Sequence, residues 1–157
     1  MRLGSDPGSM TPAHRDFEAR TRASFAKQGA MGLLGAELER VESGLVQIGL
    51  AYRPELSQQH GFFHAGILST IADSAGGYAA FTLFPEDAAV LTVEFKINLL
   101  AAADGERLTA IGQVMRSGRT LTICTMNVHV DKAGKRTHCA TGISTLMSLV
   151  GRTGVKD

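Results

Sequence analysis

The sequence predicts an α+β fold in which one antiparallel sheet wraps around a long central helix. Residues 65–84 are almost wholly apolar and include the small residues Gly66, Ala72, Ala75, Gly76, Gly77 and Ala79. A helix that is apolar nearly all round has to be covered on most sides, and small residues let neighbouring backbone come close. The segments on either side read as strands, two before the apolar stretch and four after it. The short connections between them make the sheet antiparallel.

Each element has its own signal. Thr11 as N-cap and Pro12 at the first helical position start a peripheral amphipathic helix over 12–30, with Phe17 and Phe25 set among charges. AELERV and LVQIGLAY, separated by Glu42, Ser43 and Gly44, read as a hairpin with Val46, Ile48, Leu50 and Tyr52 on one face; Pro54 ends the pairing. LTVEFKINL alternates most cleanly, with Val93, Phe95, Ile97 and Leu99 facing one way and Thr92, Glu94, Lys96 and Asn98 the other. Residues 106–116 and 119–130 form two strands hinged at Ser117 and Gly118, and a turn at Lys132 to Gly134 leads into a last strand over 136–148.

With 157 residues, 44% of them hydrophobic, the chain is sized for one domain with a sizeable core. That domain is expected over 34–150, after a helical region over 11–33 and before a tail over 151–157. Residues 1–10, rich in Gly, Ser, Asp and Pro, read as a tag remnant or disordered lead and have no apolar stretch of the kind a secretory signal needs. Sixteen Lys and Arg against fifteen Asp and Glu, without a run of like charge, imply no nucleic-acid or membrane-surface partner. Cys124 and Cys139 lack CxxC spacing and fall in strands, which fits reduced thiols in the cytoplasm and no structural zinc. There is no GxGxxG and no P-loop, and no cofactor is expected.

The apolar segment carries a single carboxylate, Asp73. An ionised Asp taken out of water needs a partner, solvent or a task. His64 lies nine residues earlier, about 13.5 Å of helical rise away and half a turn out of phase, so the two cannot meet within one helix. They can cooperate when a two-fold dimer brings one chain's helix start to the other's helix middle. At that start, the amides of Ala65 and Gly66 precede any intrahelical acceptor and sit at the positive end of the dipole, where they suit an anionic oxygen. A carbonyl held there beside a carboxylate has what acyl-transfer hydrolysis requires.

Gln58 to Gly77, followed by VLTVEFKINLL and RSGRTLTICTMNV, resembles the hot-dog-fold acyl-CoA thioesterases of the phenylacetate-degradation (PaaI) type, over about residues 34–149. The most specific element is His64-Ala65-Gly66 with Asp73 nine residues after the histidine, similar to the family's His-Gly-Gly and acid. The resemblance implies that Asp73 attacks the thioester or activates water, that the Ala65 amide polarises the carbonyl, and that His64 orients the loop or substrate. It further implies that Gln58 positions water or the acyl group and that Thr92 assists from the following strand. Ala65 departs from the family's usual glycine but keeps the amide. Dimers or dimers of dimers, an acyl-CoA substrate and no metal are implied, with the coenzyme phosphates directed to the turn of Arg116, Ser117, Gly118 and Arg119.

The remaining candidates read as structural. His60 and His64 are four apart, but Gly61 and two phenylalanines precede the helix and spoil a metal-binding face. His129 and His138 pair as sheet-face residues, and Tyr78, Phe81 and Phe84 pack the core. The alternatives to hydrolysis on the same fold are a non-catalytic acyl-CoA or small-ligand binding protein and a dehydratase acting on a hydroxyacyl group.

Overall fold

The computed structural model describes residues 10–151; most of the expected lead and tail, 1–9 and 152–157, lies outside the described residues. Helix α1 covers Phe17–Ala26 and helix α2 Gly29–Leu34. Strands β1 (Glu37–Glu42) and β2 (Leu45–Ala51) form a hairpin, a 3-10 turn spans Pro54–Leu56, and helix α3 runs Ala65–Phe81. Strands β3 (Ala88–Leu99), β4 (Arg107–Ser117), β5 (Leu121–Lys132) and β6 (Lys135–Val150) complete one antiparallel sheet of order β1-β2-β4-β5-β6-β3. No helix among the described residues is long and apolar enough to cross a membrane.

The sheet curls over α3 as its composition requires. Val46, Ile48 and Leu50 of β2, Leu108 and Ala110 of β4, and Cys124, Met126 and Val128 of β5 all bury their side chains in one core with Ile71, Ala75, Ala79 and Phe81 of the helix. Gly112 of β4 passes so close to α3 that a methyl group there would collide with the carbonyl of Ala75 and the nitrogen of Gly76. The β5–β6 turn has Ala133 and Gly134 at φ 48 and 78, the left-handed pair that matches the twist of the strands it joins.

Two expectations are corrected. The N-terminal helix starts at Phe17 rather than Pro12, its N-cap is Asp16, and it stops at Ala26 before restarting at Gly29. The break is at Gln28, whose extended backbone (φ −73, ψ 104) turns the chain so that Met31 can enter the core. In β3, the alternation read over 91–99 is interrupted by a register shift between Thr92 and Glu94. A bulge of this kind flips every side chain beyond it to the other face, so Thr92 shares the helix-facing side with Phe95 and Ile97 instead of opposing them.

Candidate active site

The start of α3 is built by the loop that leads into it. Ser57 and Phe63 bridge, the Phe63 N–H donates to the Ala103 carbonyl at 3.0 Å, and the His64 N–H donates to the Leu56 carbonyl at 2.9 Å. His64 is then an extended N-cap (φ −67, ψ 138) whose Nδ1 accepts the Gly66 N–H at 2.9 Å. An accepting Nδ1 places the proton of the neutral ring on Nε2. The His64 carbonyl takes the N–H groups of Ile67 and Leu68. Of the two amides expected to greet an anionic oxygen, that of Gly66 is therefore occupied, and that of Ala65 has no acceptor among the described residues. Ala65 and Gln58 line a hollow of about 190 Å³ with Phe62, Leu99 and Ala101 to Ala103. Gln58 Oε1 accepts the His60 N–H, which steadies the loop.

Two turns further on, Asp73 is half-buried and its Oδ1 accepts from the Thr92 hydroxyl at 2.8 Å. Burial pushes the Asp73 carboxyl above its ordinary value, and the Thr92 bond opposes that rise. Asp73 opens onto a hollow of about 450 Å³ lined by Gln28, Met31, Ser69, Thr70, Ser74 and Phe95 among others, and onto a smaller one of about 80 Å³ beside Tyr78, Val90 and Thr92. Gln28 was not foreseen as a site residue: it lies in the break between α1 and α2, and no motif marks it.

The structure thus brings Thr92 to Asp73 and Gln58 to Ala65, and it does not bring His64 to Asp73 within the chain. Arg116 and Arg119 are exposed at the β4–β5 turn, where the Gly118 N–H closes onto the Leu121 carbonyl at 2.9 Å. One register row joins Thr92, Leu146, Thr122 and Ser117 across β3, β6, β5 and β4. Three strand spacings place that turn about 14 Å from Thr92 along the sheet.

Other groups drop out on physical grounds. The thiols of Cys124 and Cys139 are free and buried, and burial pushes them up to about 12 and about 11, too high for nucleophiles. His129 and His138 pair directly, their rings stacked 4.7 Å apart. Among the described residues no three His, Cys, Asp or Glu side chains gather as a metal would need. A further hollow of about 460 Å³ lies between α1 and residues 86–89, lined in part by Lys27, Glu86 and Asp87. Its Arg20 is committed to the Phe84 and Ala88 carbonyls and to the Phe81 ring, so it fastens α1 to the domain.

The sequence profile of the thioesterase superfamily matches residues 60–137. A crystal structure of a thioesterase family protein from Silicibacter pomeroyi superposes with a TM-score of 0.85 at 47% identity, covering 86% of this chain and 99% of that one. A Sulfurisphaera tokodaii protein with a provisional esterase name is 32% identical over 83 residues, 53% of this chain; the match spans 61% of that relative's length. A 1,4-dihydroxy-2-naphthoyl-CoA hydrolase of Listeria monocytogenes is 24% identical over 95 residues, 60% of this chain and 77% of the relative. The wrapped helix and its sheet are therefore the hot-dog fold, and the chain belongs to the thioesterase superfamily.

Proposed function

We propose that the protein hydrolyses acyl-CoA thioesters to the free acid and coenzyme A, at a site completed by two copies of the chain. The observation that carries this reading is the division of labour along α3: an acceptor-free Ala65 N–H at its start and a half-buried Asp73 in its middle, each opening onto its own hollow. Neither half is sufficient alone. A two-fold pairing sets the helix start of one chain beside the helix middle of its partner and makes two complete sites. The edge strand β3 supports such a pairing, since it ends the sheet and leaves Leu91, Val93, Phe95 and Leu99 about half exposed.

The chemistry follows from charge. The thioester carbonyl oxygen accepts the Ala65 N–H at the positive end of the helix, which favours the negative charge that develops on it. Asp73 takes a proton from water as the water oxygen bonds to the carbonyl carbon. The tetrahedral species collapses, the C–S bond breaks, and the proton passes to the departing thiolate sulfur. Direct attack by the Asp73 carboxylate, with an anhydride then hydrolysed, uses the same atoms. Arg116 and Arg119 supply cations for the coenzyme phosphates, at a separation that an extended pantetheine arm spans. The Listeria relative's name, a CoA-thioester hydrolase, supports this substrate class, and the two free thiols fit a reducing cytoplasm.

Release of free thiol from a panel of aliphatic and aryl acyl-CoA thioesters tests the proposal. Turnover by the wild type that collapses in Asp73→Asn, while the variant still binds the thioester, is the expected result. Binding without turnover in the wild type would leave a non-catalytic acyl-CoA binder.

A further inference from the structure

Asp73 stands where two hollows meet. The larger, of about 450 Å³, has the apolar side chains of Met31 and Phe95 among its walls. The smaller, of about 80 Å³, lies further along α3 and is bounded by Gln28, Ser74, Tyr78, Val90 and Thr92. Thr92 donates to Asp73 Oδ1 at 2.8 Å and Ser74 to Gln28 Oε1 at 3.4 Å, so both hydroxyl oxygens are left to accept. Asp73 Oδ2 has no donor among the described residues, and Gln28 Nε2 has no acceptor among them. A polar space of this size holds about two or three water molecules. Its remaining wall is Gly77, one turn after Asp73 on the same face of α3. Glycine inside a helix is less favourable than alanine. Close packing accounts for the neighbouring Gly76, where a methyl group would lie 2.9 Å from Ser144 Oγ and 3.2 Å from Met126 Cγ. Beyond its own helix backbone and the adjacent residues, a methyl at Gly77 would have Leu146 Cδ1 at 4.0 Å as its nearest neighbour. Side-chain packing does not exclude that methyl; it would take up room in the small hollow.

We infer that the small hollow is the water chamber of the hydrolytic site and that Gly77 keeps it open. The inference rests on the proposed thioester site and selects between its two routes, with water as the attacking group and Asp73 as its base. A water in the chamber can donate to Asp73 Oδ2 and accept from Gln28 Nε2 while the thioester occupies the larger hollow. Its oxygen bonds to the carbonyl carbon and its proton passes to Asp73. On collapse the C–S bond breaks and that proton goes to the sulfur. The chamber sets a nucleophile beside the carboxylate before the thioester arrives, so no covalent intermediate on the enzyme is needed.

Gly77→Ala tests this, because it should keep or raise Tm while filling part of the chamber. Its kcat for thiol release should fall about tenfold. Its affinity for the thioester should not change, measured by calorimetry with Asp73→Asn present in both proteins. Rapid mixing should show the first turnover slowed as much as later ones, without a burst of thiol. A crystal structure of the wild type should place water within hydrogen-bond reach of Asp73 and Gln28, and that of Gly77→Ala should lack at least one such water. A burst of thiol ahead of slow turnover, in either enzyme, would make Asp73 the nucleophile and overturn the inference. So would a Gly77→Ala enzyme as fast as the wild type, or a wild-type chamber without water. Each of these leaves thioester hydrolysis intact, whereas a wild type that releases no thiol from any acyl-CoA overturns that reading and the inference with it.

Discussion

The first turn of α3 and its third turn belong to one helix and are built to opposite specifications. At the first turn His64, Ala65 and Gly66 are exposed, and the chain leaves the Ala65 N–H uncovered while capping its neighbour with the His64 ring. At the third turn Asp73 is partly withdrawn from water beneath Thr92 and beside Gln28. An oxyanion donor is useful only if its own chain leaves it free, whereas a carboxylate becomes a better base when desolvation weakens its hold on charge. On the proposed reading one helix carries both groups and two copies are needed to use them together, because Ala65 and Asp73 lie about 12 Å apart along its axis.

Breaking the third turn should have the larger effect. Asp73→Asn removes the proposed base or nucleophile and should lower kcat by about a thousandfold or more, measured by thiol release. The same variant carries a stability signature. Because the folded-state carboxyl of Asp73 lies above its unfolded value, its contribution is most favourable at pH below the unfolded value and is lost as pH rises through the folded one. The Asn variant should therefore melt no lower than the wild type at neutral pH, and a marked drop in Tm would mean that Asp73 is a structural residue.

Breaking the first turn should cost about a hundredfold in kcat. Ala65→Pro is suited to this because the position is the first of the helix, where proline fits, and the preceding His64 is already extended. Only the N–H is lost, so circular dichroism should be unchanged while turnover falls. A smaller effect is expected from Thr92→Ala. The Thr92 bond favours the ionised form of Asp73, so its removal raises the carboxyl further and moves the acid limb of the kcat/KM profile to higher pH, with about a tenfold loss or less near neutrality.

The smallest predicted effect lies outside both turns and separates acid effects on the fold from those on the site. Burial first, then His138 and Arg136, hold His129 below its ordinary value, with Asp131 opposing. The unfolded chain then takes up the proton first, and stability present above the unfolded value of about 6.5 declines as pH falls through it. His129→Asn should flatten that decline in Tm while leaving the pH profile of thiol release in place.

Most of the fold was legible because periodicity reports burial directly. The alternation of Val46, Ile48 and Leu50 reads as a strand facing a core, and the largely apolar run of 65–81 as a covered helix, and both are observed. What the pattern hid were local irregularities. The bulge after Thr92 leaves no mark in an alternating string, although it decides which face Thr92 joins. The false start at Thr11 and Pro12 is a strong local capping signal with too little to bury behind it; the helix forms only where Thr21, Ser24 and Phe25 find cover. Of the site, Asp73 stood out because a lone acid in an apolar run is anomalous. Gln28, which lines the hollows beside Asp73, did not, because folding brings it there from forty-five residues away.

The central claim is that the Asp73 of one chain works with the Ala65 of another, and subunit mixing tests it most directly. Asp73→Asn and Ala65→Pro should each be inactive or nearly so when paired only with themselves. Unfolded together in equal amounts and refolded, they should form mixed dimers in which one site has both groups and the other has neither, restoring about a quarter of wild-type thiol release. Mixed dimers demonstrated by native mass spectrometry but no more active than their parents would contradict the account.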